Sequence, residues 1–397
     1  MKQKISYYIN RGMMGLAFNM MFTATALYRI DIAQLEIYQL ILIGTAMELS
    51  IFFFEIPTGI VADLKSRRMS VIIGIFLIGV ATILEALTPL FLMIFIAQVL
   101  WGFGYTFISG ALQSWISDEV ENKNINQILI TGNQFKAIMS VLGIALAAVF
   151  GTKDIRIALY VSAGLMFVLG IFDLMHMKEE HFEKSEHETS IWKSYITQFS
   201  NGYKHIKKHQ VLKVLFIIML FFGLYSEGID RTYEFHILNN LNFRNLIDLP
   251  AIWILSIVNV LIILLGLVLM EITKKYIKEN KHISAWLFVF TATMMTGILL
   301  FGFLPYPYLA VGGFLIFHTA REASEPLLDM MIIQNTPSKI KATVLSTFGQ
   351  IDAIGQIASG VIMVIIGLTL PINILYLITA MLLIVPLILL PKTKVKI

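Results

Sequence analysis

The residues with most chemistry to explain lie inside long apolar runs. Glu227, Asp230, Arg231 and Glu234 fall in one run, and Arg321, Glu322, Glu325 and Asp329 in another. Glu48 and Glu55 share a third, Lys136 lies in a fourth and Asp352 in a fifth. Glu227 precedes Arg231 by four residues, Asp230 precedes Glu234 by four, and Arg321 precedes Glu325 by four. On helices such partners share a face. One reading is neutralised pairs that hold helices together. The other is a proton site. Six carboxylates on the first two runs stand against two arginines. Acids crowded in a low dielectric resist joint ionisation, so at least one should hold a proton near neutral pH. No nucleophile–base signature or Walker loop stands out, which argues against an enzyme and against ATP drive.

The elements that must position these charges follow from composition. The chain has 397 residues, 57% hydrophobic and 14% charged, with a mean hydropathy of +0.78. A soluble domain cannot bury that much apolar surface, whereas a polytopic membrane protein exposes it to lipid. There is no cysteine, so disulfides, iron–sulfur clusters and thiolate zinc sites are excluded. The net charge of +4 is modest and reads as lysines flanking membrane helices, not as a nucleic-acid surface.

Runs long enough for ~30 Å of hydrocarbon are expected at 6–29, 35–62, 70–88, 90–116, 126–150, 155–176, 210–237, 249–273, 283–304, 307–334, 342–367 and 369–390. The start, Met1 to Tyr8, lacks a small-residue cleavage site and reads as part of a retained first helix. Six spans precede a polar stretch at 177–209 and six follow it, so the chain divides into 1–176, a linker, and 210–397. The linker holds His176, His181, His187, His205 and His209 in or beside it, at spacings too irregular for a metal site. A charge at mid-bilayer costs at least ~2.5–3.5 kcal/mol. The interiors of spans 3, 6, 9 and 12 contain no Asp, Glu, Lys or Arg.

Lys65, Arg67 and Arg68 crowd the loop after the second span, which assigns it to the cytoplasm by the positive-inside rule. Loops on that side also carry Lys123, Lys274, Lys275, Lys278, Lys281, Lys339 and Lys341, whereas the opposite loops hold only Arg29, Lys153, Arg156 and Arg244. Both termini are therefore expected in the cytoplasm. The halves echo each other: Gln134, Lys136, Ala137 and Ile138 on span 5 answer Gln350, Asp352, Ala353 and Ile354 on span 11. Trp101 and Tyr105 are one turn apart on span 4, where they could stack on a flat or cationic ligand or simply pack. Tyr28 and Trp115 are expected in interfacial anchoring belts.

With twelve spans, a six-plus-six division and this loop after span 2, the chain resembles the major facilitator superfamily over its whole length. That family's loop motif is Gly-x-x-x-Asp-x-x-Gly-Arg-Arg/Lys. Gly59, Asp63, Arg67 and Arg68 match it, and Ser66 stands where glycine is usual. The segments Ser226 to Arg231, Ser114 to Glu119, and Ala342 to Ser346 leading to Gln350 and Asp352 are similar to a bacterial drug-efflux branch containing macrolide and some tetracycline exporters. Two antiporter signatures are absent. Gln98 and Trp101-Gly102 lack the preceding arginine on span 4, and Gly143 is followed by Ile144 rather than proline.

The resemblance implies an all-α membrane protein, with twelve transmembrane helices in two pseudo-symmetric six-helix bundles. The first and fourth helices of each bundle should line a central cavity, and the halves should rock to expose it to each side in turn. The activity implied is proton-coupled secondary transport, exporting amphipathic cationic or zwitterionic small molecules. The alternative is an importer or facilitator of a nutrient such as a sugar or peptide. No bound cofactor is expected; the proton gradient supplies the drive. The partners are a small-molecule substrate, protons and the lipid bilayer, with no nucleic acid, for a monomer in the bacterial cytoplasmic membrane. Glu227, Asp230, Glu322, Glu325, Asp352 and Glu55 are the candidates for proton coupling. Asp352 is expected either to couple with Glu55 or merely to bond Gln350 or Gln356. Glu48, Trp101, Tyr105, Lys136, Tyr225, Arg231 and Arg321 are candidates for binding substrate. Gly59, Asp63, Arg67, Arg68, Asp118 and Glu119 would form a conformational latch. In it Arg67 or Arg68 pairs with Asp118 or Glu119, and Asp63 sits near the start of span 11, attracted by its helix dipole.

Overall fold

In a computed structural model, residues 2–120, 125–182, 191–277, 283–337 and 340–393 are described. Lys123, His187, Lys278, Lys281 and Lys339 lie outside them. Almost every described residue is helical, because in hydrocarbon each backbone N–H and C=O must be satisfied within its own segment. The α-helices longer than about one turn are α1 (Lys2–Leu27), α2 (Ile37–Leu64), α3 (Arg67–Leu87), α4 (Phe91–Ile108), α5 (Ala111–Glu119), α6 (Ile125–Gly151) and α7 (Ile155–His176). They continue with α8 (Ile191–Lys208), α9 (Gln210–Asp230), α10 (Ala251–Ile277), α11 (Ile283–Phe303), α12 (Pro307–Gln334), α13 (Lys341–Thr369), α14 (Ile372–Leu382) and α15 (Ile384–Leu389).

Ten of the described helical segments are long and apolar enough to cross a membrane. Two more, α1 and α12, have 26 and 28 residues, ample for ~30 Å at ~1.5 Å per residue. Their polar residues lower their hydropathy, and both line the cavities described below. Among the described residues this makes twelve helices long enough to span, consistent with the expected count.

Capping fixes several boundaries. Ser66 starts α3 by accepting from Met69 N at 3.0 Å, and Asp154 starts α7 by accepting from Arg156 N at 2.9 Å. Pro307 occupies the first turn of α12, where its missing N–H costs nothing.

The chain forms two compact units. The first holds 1–36, 46–191 and 249–260; the second holds 37–45, 192–248 and 261–397. Helix pairing repeats between them. In unit 1, α1 packs along α6 and α7, and α3 along α4 and α7. In unit 2, α9 packs along α13 and α14, and α11 along α12 and α14. The tightest crossings depend on glycine. A methyl at Gly15 of α1 would strike the Lys136 carbonyl of α6, and one at Gly223 of α9 would strike the Asp352 carbonyl of α13.

Several details depart from the sequence reading. The fourth span is broken at Gly110, whose φ of 72° suits glycine and separates α4 from α5. The seventh stops at Asp230 and continues as short turns to Asn240, so Glu234 does not extend the face bearing Asp230. The linker contains an amphipathic helix, α8. Tyr28 and Trp115 are 0% and 1% exposed, so they are core residues and not belt anchors. Trp115 is committed to a contact within its unit, donating Nε1 to the Lys178 carbonyl at 2.7 Å.

Candidate functional site

Each unit contains a cavity. That of unit 1 measures about 710 Å³, and its lining includes five aromatic side chains and three charges. The i, i+4 spacing on α4 stacks Trp101 on Tyr105, with centroids 5.4 Å apart and planes at 8°. Phe18 and Phe22, one turn apart on α1, meet Trp101 edge-on at 5.5 and 5.3 Å. Trp101 is 4% exposed, yet its buried Nε1 has no hydrogen-bond partner among the described residues. Arg11, Glu48 and Lys136 bring charge to the same wall. Arg11 donates to Asn133. Lys136 has no ion pair or side-chain hydrogen bond among the described residues. The cavity therefore offers ring faces, an unused N–H donor and cationic side chains.

The cavity of unit 2 is smaller, about 480 Å³, and acidic. Arg321 is its centre. One Arg321 nitrogen donates to both carboxylate oxygens of Asp230, at 2.7 and 2.8 Å, and Nε lies 3.5 Å from Glu325. The guanidinium also stands 5.8 Å from the Tyr225 ring centroid. The pair expected between Arg321 and Glu325 is thus the looser contact, and the bond between α9 and α12 the tighter. Asp352 accepts from Gln356 at 2.8 Å, as one of the two expectations had it, and also lines the cavity with Glu325 and Asp329. Asp329 has no ion pair or hydrogen bond among the described residues.

Other candidates lie elsewhere. Glu227 is buried and accepts from Arg231 at 2.8 Å. Arg231 also abuts Gly44, where any side chain would collide with its guanidinium. Neither lines the acidic cavity. Glu322 is exposed, its stem lies 3.4 Å from where a Cβ on Gly266 would stand, and it does not line the acidic cavity. Glu55 is half-buried on α2 in unit 1.

The loop motif forms a compact network within unit 1. Arg67 pairs with Asp118, donates to the Ser114 carbonyl at 3.2 Å and lies 3.6 Å from Asp63. Arg68 instead donates to the Leu174 carbonyl at 2.7 Å. Glu119 has no arginine partner among the described residues. It accepts from the backbone N–H groups of Glu180 and His181 at 2.7 and 2.9 Å. The residue that completes the loop is Glu179, whose carboxylate receives Ser66 Oγ at 2.5 Å and the N–H groups of Arg67 and Arg68 at 2.7 and 3.1 Å. An anion at a helix N-terminus is favoured by the exposed donors and the dipole. Ser66 in place of glycine supplies one donor of this cap. Gly59 has no atom within 4 Å of where a Cβ would stand.

Several polar residues were missed. Glu85, 1% exposed, takes a forked bond from Arg29 at 2.8 and 3.1 Å and a third from Gln98 at 2.7 Å. Asp173 is buried and accepts from Asn10 at 2.7 Å. Arg11 was within reach of the sequence, since it is a charge inside the first apolar span, the same signal that singled out Lys136.

A family model, Major Facilitator Superfamily, matches residues 5–360. The Uncharacterized MFS-type transporter YxaM of Bacillus subtilis (strain 168) is 22% identical over 391 residues, 98% of this chain and 96% of that protein. Two solved structures share the fold closely. The nucleoside transporter NupG has a TM-score of 0.80 at 14% identity, covering 99% of each chain. A POT family transporter in complex with thioalcohol conjugated peptide has a TM-score of 0.77 at 14% identity, covering 99% of this chain and 96% of that one. The family match extends over most of the residues that build both cavities: the chain is a member of the Major Facilitator Superfamily, a family of membrane transporters.

Proposed function

We propose that the chain is a proton-coupled secondary transporter that exports amphipathic cationic or zwitterionic small molecules by alternating access. The observation that carries this reading is the acidic cavity of unit 2. There Glu325, Asp329 and Asp352 gather around an arginine whose shortest bonds already go to Asp230. Asp329 and Asp352, which have no ion pair among the described residues, and Glu325, whose contact with Arg321 is the looser one, can take up and release protons as the medium facing them changes, and they attract a positively charged solute. The aromatic wall of unit 1 supports the amphipathic half of the reading, since stacked rings accept flat or cationic groups.

The test is transport of a panel of cationic dyes and antibiotics in inverted vesicles, with and without a proton gradient. Gradient-driven accumulation is expected, and Asp352→Asn should abolish the drive while leaving solute binding intact. Movement indifferent to the gradient would sink the coupling.

A second reading, import of a polar nutrient, draws on Arg11 and Lys136 in the cavity of unit 1, which suit an anionic group. The two absent antiporter signatures and the fold shared with a nucleoside transporter and a peptide transporter favour it too. Nucleosides and dipeptides offered to right-side-out vesicles separate the readings.

A further inference from the structure

The linker helix α8 and the start of α9 carry a basic patch outside both cavities. Between Glu188 and Glu227 there is no Asp or Glu, while Lys193, Lys204, Lys207, Lys208 and Lys213 fall in that stretch. Lys204, Lys207, Lys208 and Lys213 are exposed, and none of these four has an ion-pair partner among the described residues. Lys204, Lys207 and Lys208 are spaced i, i+3, i+4 and so share one face of α8.

The opposite face is committed. Gly202 is buried, and a Cβ there would meet the Thr347 hydroxyl and the Thr343 carbonyl of α13. Ile206 is 1% exposed. Tyr203, beside them, contacts Phe216 at 5.7 Å with part of its ring still in the open. Burial, followed by His209 and Lys208 alongside, holds the His205 imidazole below the usual histidine range, as unneutralised positive surroundings should. The helix chain breaks at His209, whose extended backbone leads directly into the membrane-spanning α9. The lysines thus sit within two helical turns of a membrane entry, on the side that the positive-inside rule assigns to the cytoplasm.

We infer that this face of α8, with Lys213 of α9, is a binding site for anionic phospholipid headgroups of the cytoplasmic leaflet. Charge complementarity and position both select that occupant: basic residues immediately before a transmembrane helix meet a negatively charged surface, with lysine stems lying along apolar surface and ammonium groups at headgroup level. Because α8 is seated on α13, the site adjoins the helix that carries Asp352.

The test uses the full chain in phosphatidylcholine vesicles containing a diazirine-bearing phosphatidylglycerol. Label is mapped onto the segment 197–216. Phosphatidylglycerol should label this segment in preference to diazirine-bearing phosphatidylcholine. Each lysine near an anionic surface is worth roughly five-fold, so the triple variant Lys204→Gln, Lys207→Gln, Lys208→Gln should lower the preference at least about ten-fold. The corresponding triple arginine variant should keep it, as should Lys65→Gln with Lys392→Gln. Replacing chloride with inorganic phosphate at matched ionic strength should leave labelling unchanged. A preference that survives in the glutamine variant, vanishes equally in the arginine variant, or yields to inorganic phosphate overturns the inference.

Discussion

The two cavities are built on the same scaffold and hold opposite chemistry. In unit 1 a first helix meets a fifth at Gly15, against the carbonyl of Lys136. In unit 2 the corresponding helices meet at Gly223, against the carbonyl of Asp352. The side chain mounted at the crossing is a cation in one and an acid in the other. Around Lys136 lie stacked rings and an unused indole N–H; around Asp352 lie carboxylates and one arginine already bonded to Asp230. Shared packing with divergent charge teaches that packing and chemistry are separately adjustable here. Glycine at the crossings holds the helices, and the residues facing the cavities set the charge of each wall.

That comparison can be broken at several strengths. The largest effect is expected from Asp230→Ala, which leaves Arg321 without its tightest partner. Breaking such a pair costs ~3–5 kcal/mol when fully buried, and the partial exposure of both side chains places this case near the lower end. Thermal unfolding in detergent should fall accordingly, and transport should be lost. Replacing both residues with Met should destabilise less than Asp230→Ala alone. If the double variant is the worse, the pair is not acting as a unit.

Next come the crossings. Gly15→Ala and Gly223→Ala should each cost ~1–3 kcal/mol, the usual range for overpacking, because the added methyl meets backbone that cannot rotate away. Gly59→Ala, with open space around it, should stay within ~0.5 kcal/mol, the usual range for a site without such a feature. Equal melting temperatures for all three would remove the glycine argument.

A smaller effect is expected at Trp101. Trp101→Ala should weaken solute binding about ten-fold, roughly 1.4 kcal/mol, while Trp101→Phe retains most of it. Solute titration by quenching of the remaining tryptophans reads this directly. The smallest is Glu179→Gln. It removes charge from the N-terminus of α3 and should lower stability by ~0.3–1 kcal/mol, with the effect shrinking in high salt.

How much of this was legible beforehand depends on the range of the interaction. Apolar spans are local patterns, and they appear close to where they were read, apart from the break at Gly110 and the early stop at Asp230. Glu227 with Arg231 is a bond between neighbours one turn apart, so spacing alone announced it. Asp230 with Arg321 was not legible in that way, because it joins residues far apart in the chain that only the packed bundle brings together. Glu179 was hidden for the same reason: among the acids of a polar linker nothing marks the one that docks at Ser66. Tyr28 and Trp115 misled because an aromatic near the end of a span looks the same whether it meets headgroups or a neighbouring helix. Glu85 stands just beyond the uncharged interior of its span, and its partners Arg29 and Gln98 come from two other helices.

The glycine crossings have one more consequence. Lys136 and Asp352 are each held by their own carbonyl, pressed against the backbone of a neighbouring helix, so the place from which each side chain departs does not depend on what that side chain is. The two positions behave as fixed mounts with interchangeable fittings. Lys136→Asp or Asp352→Lys then alters the sign of a cavity wall without moving it. One codon is then enough to reverse the charge of a cavity wall while the architecture of the bundle stays where it was.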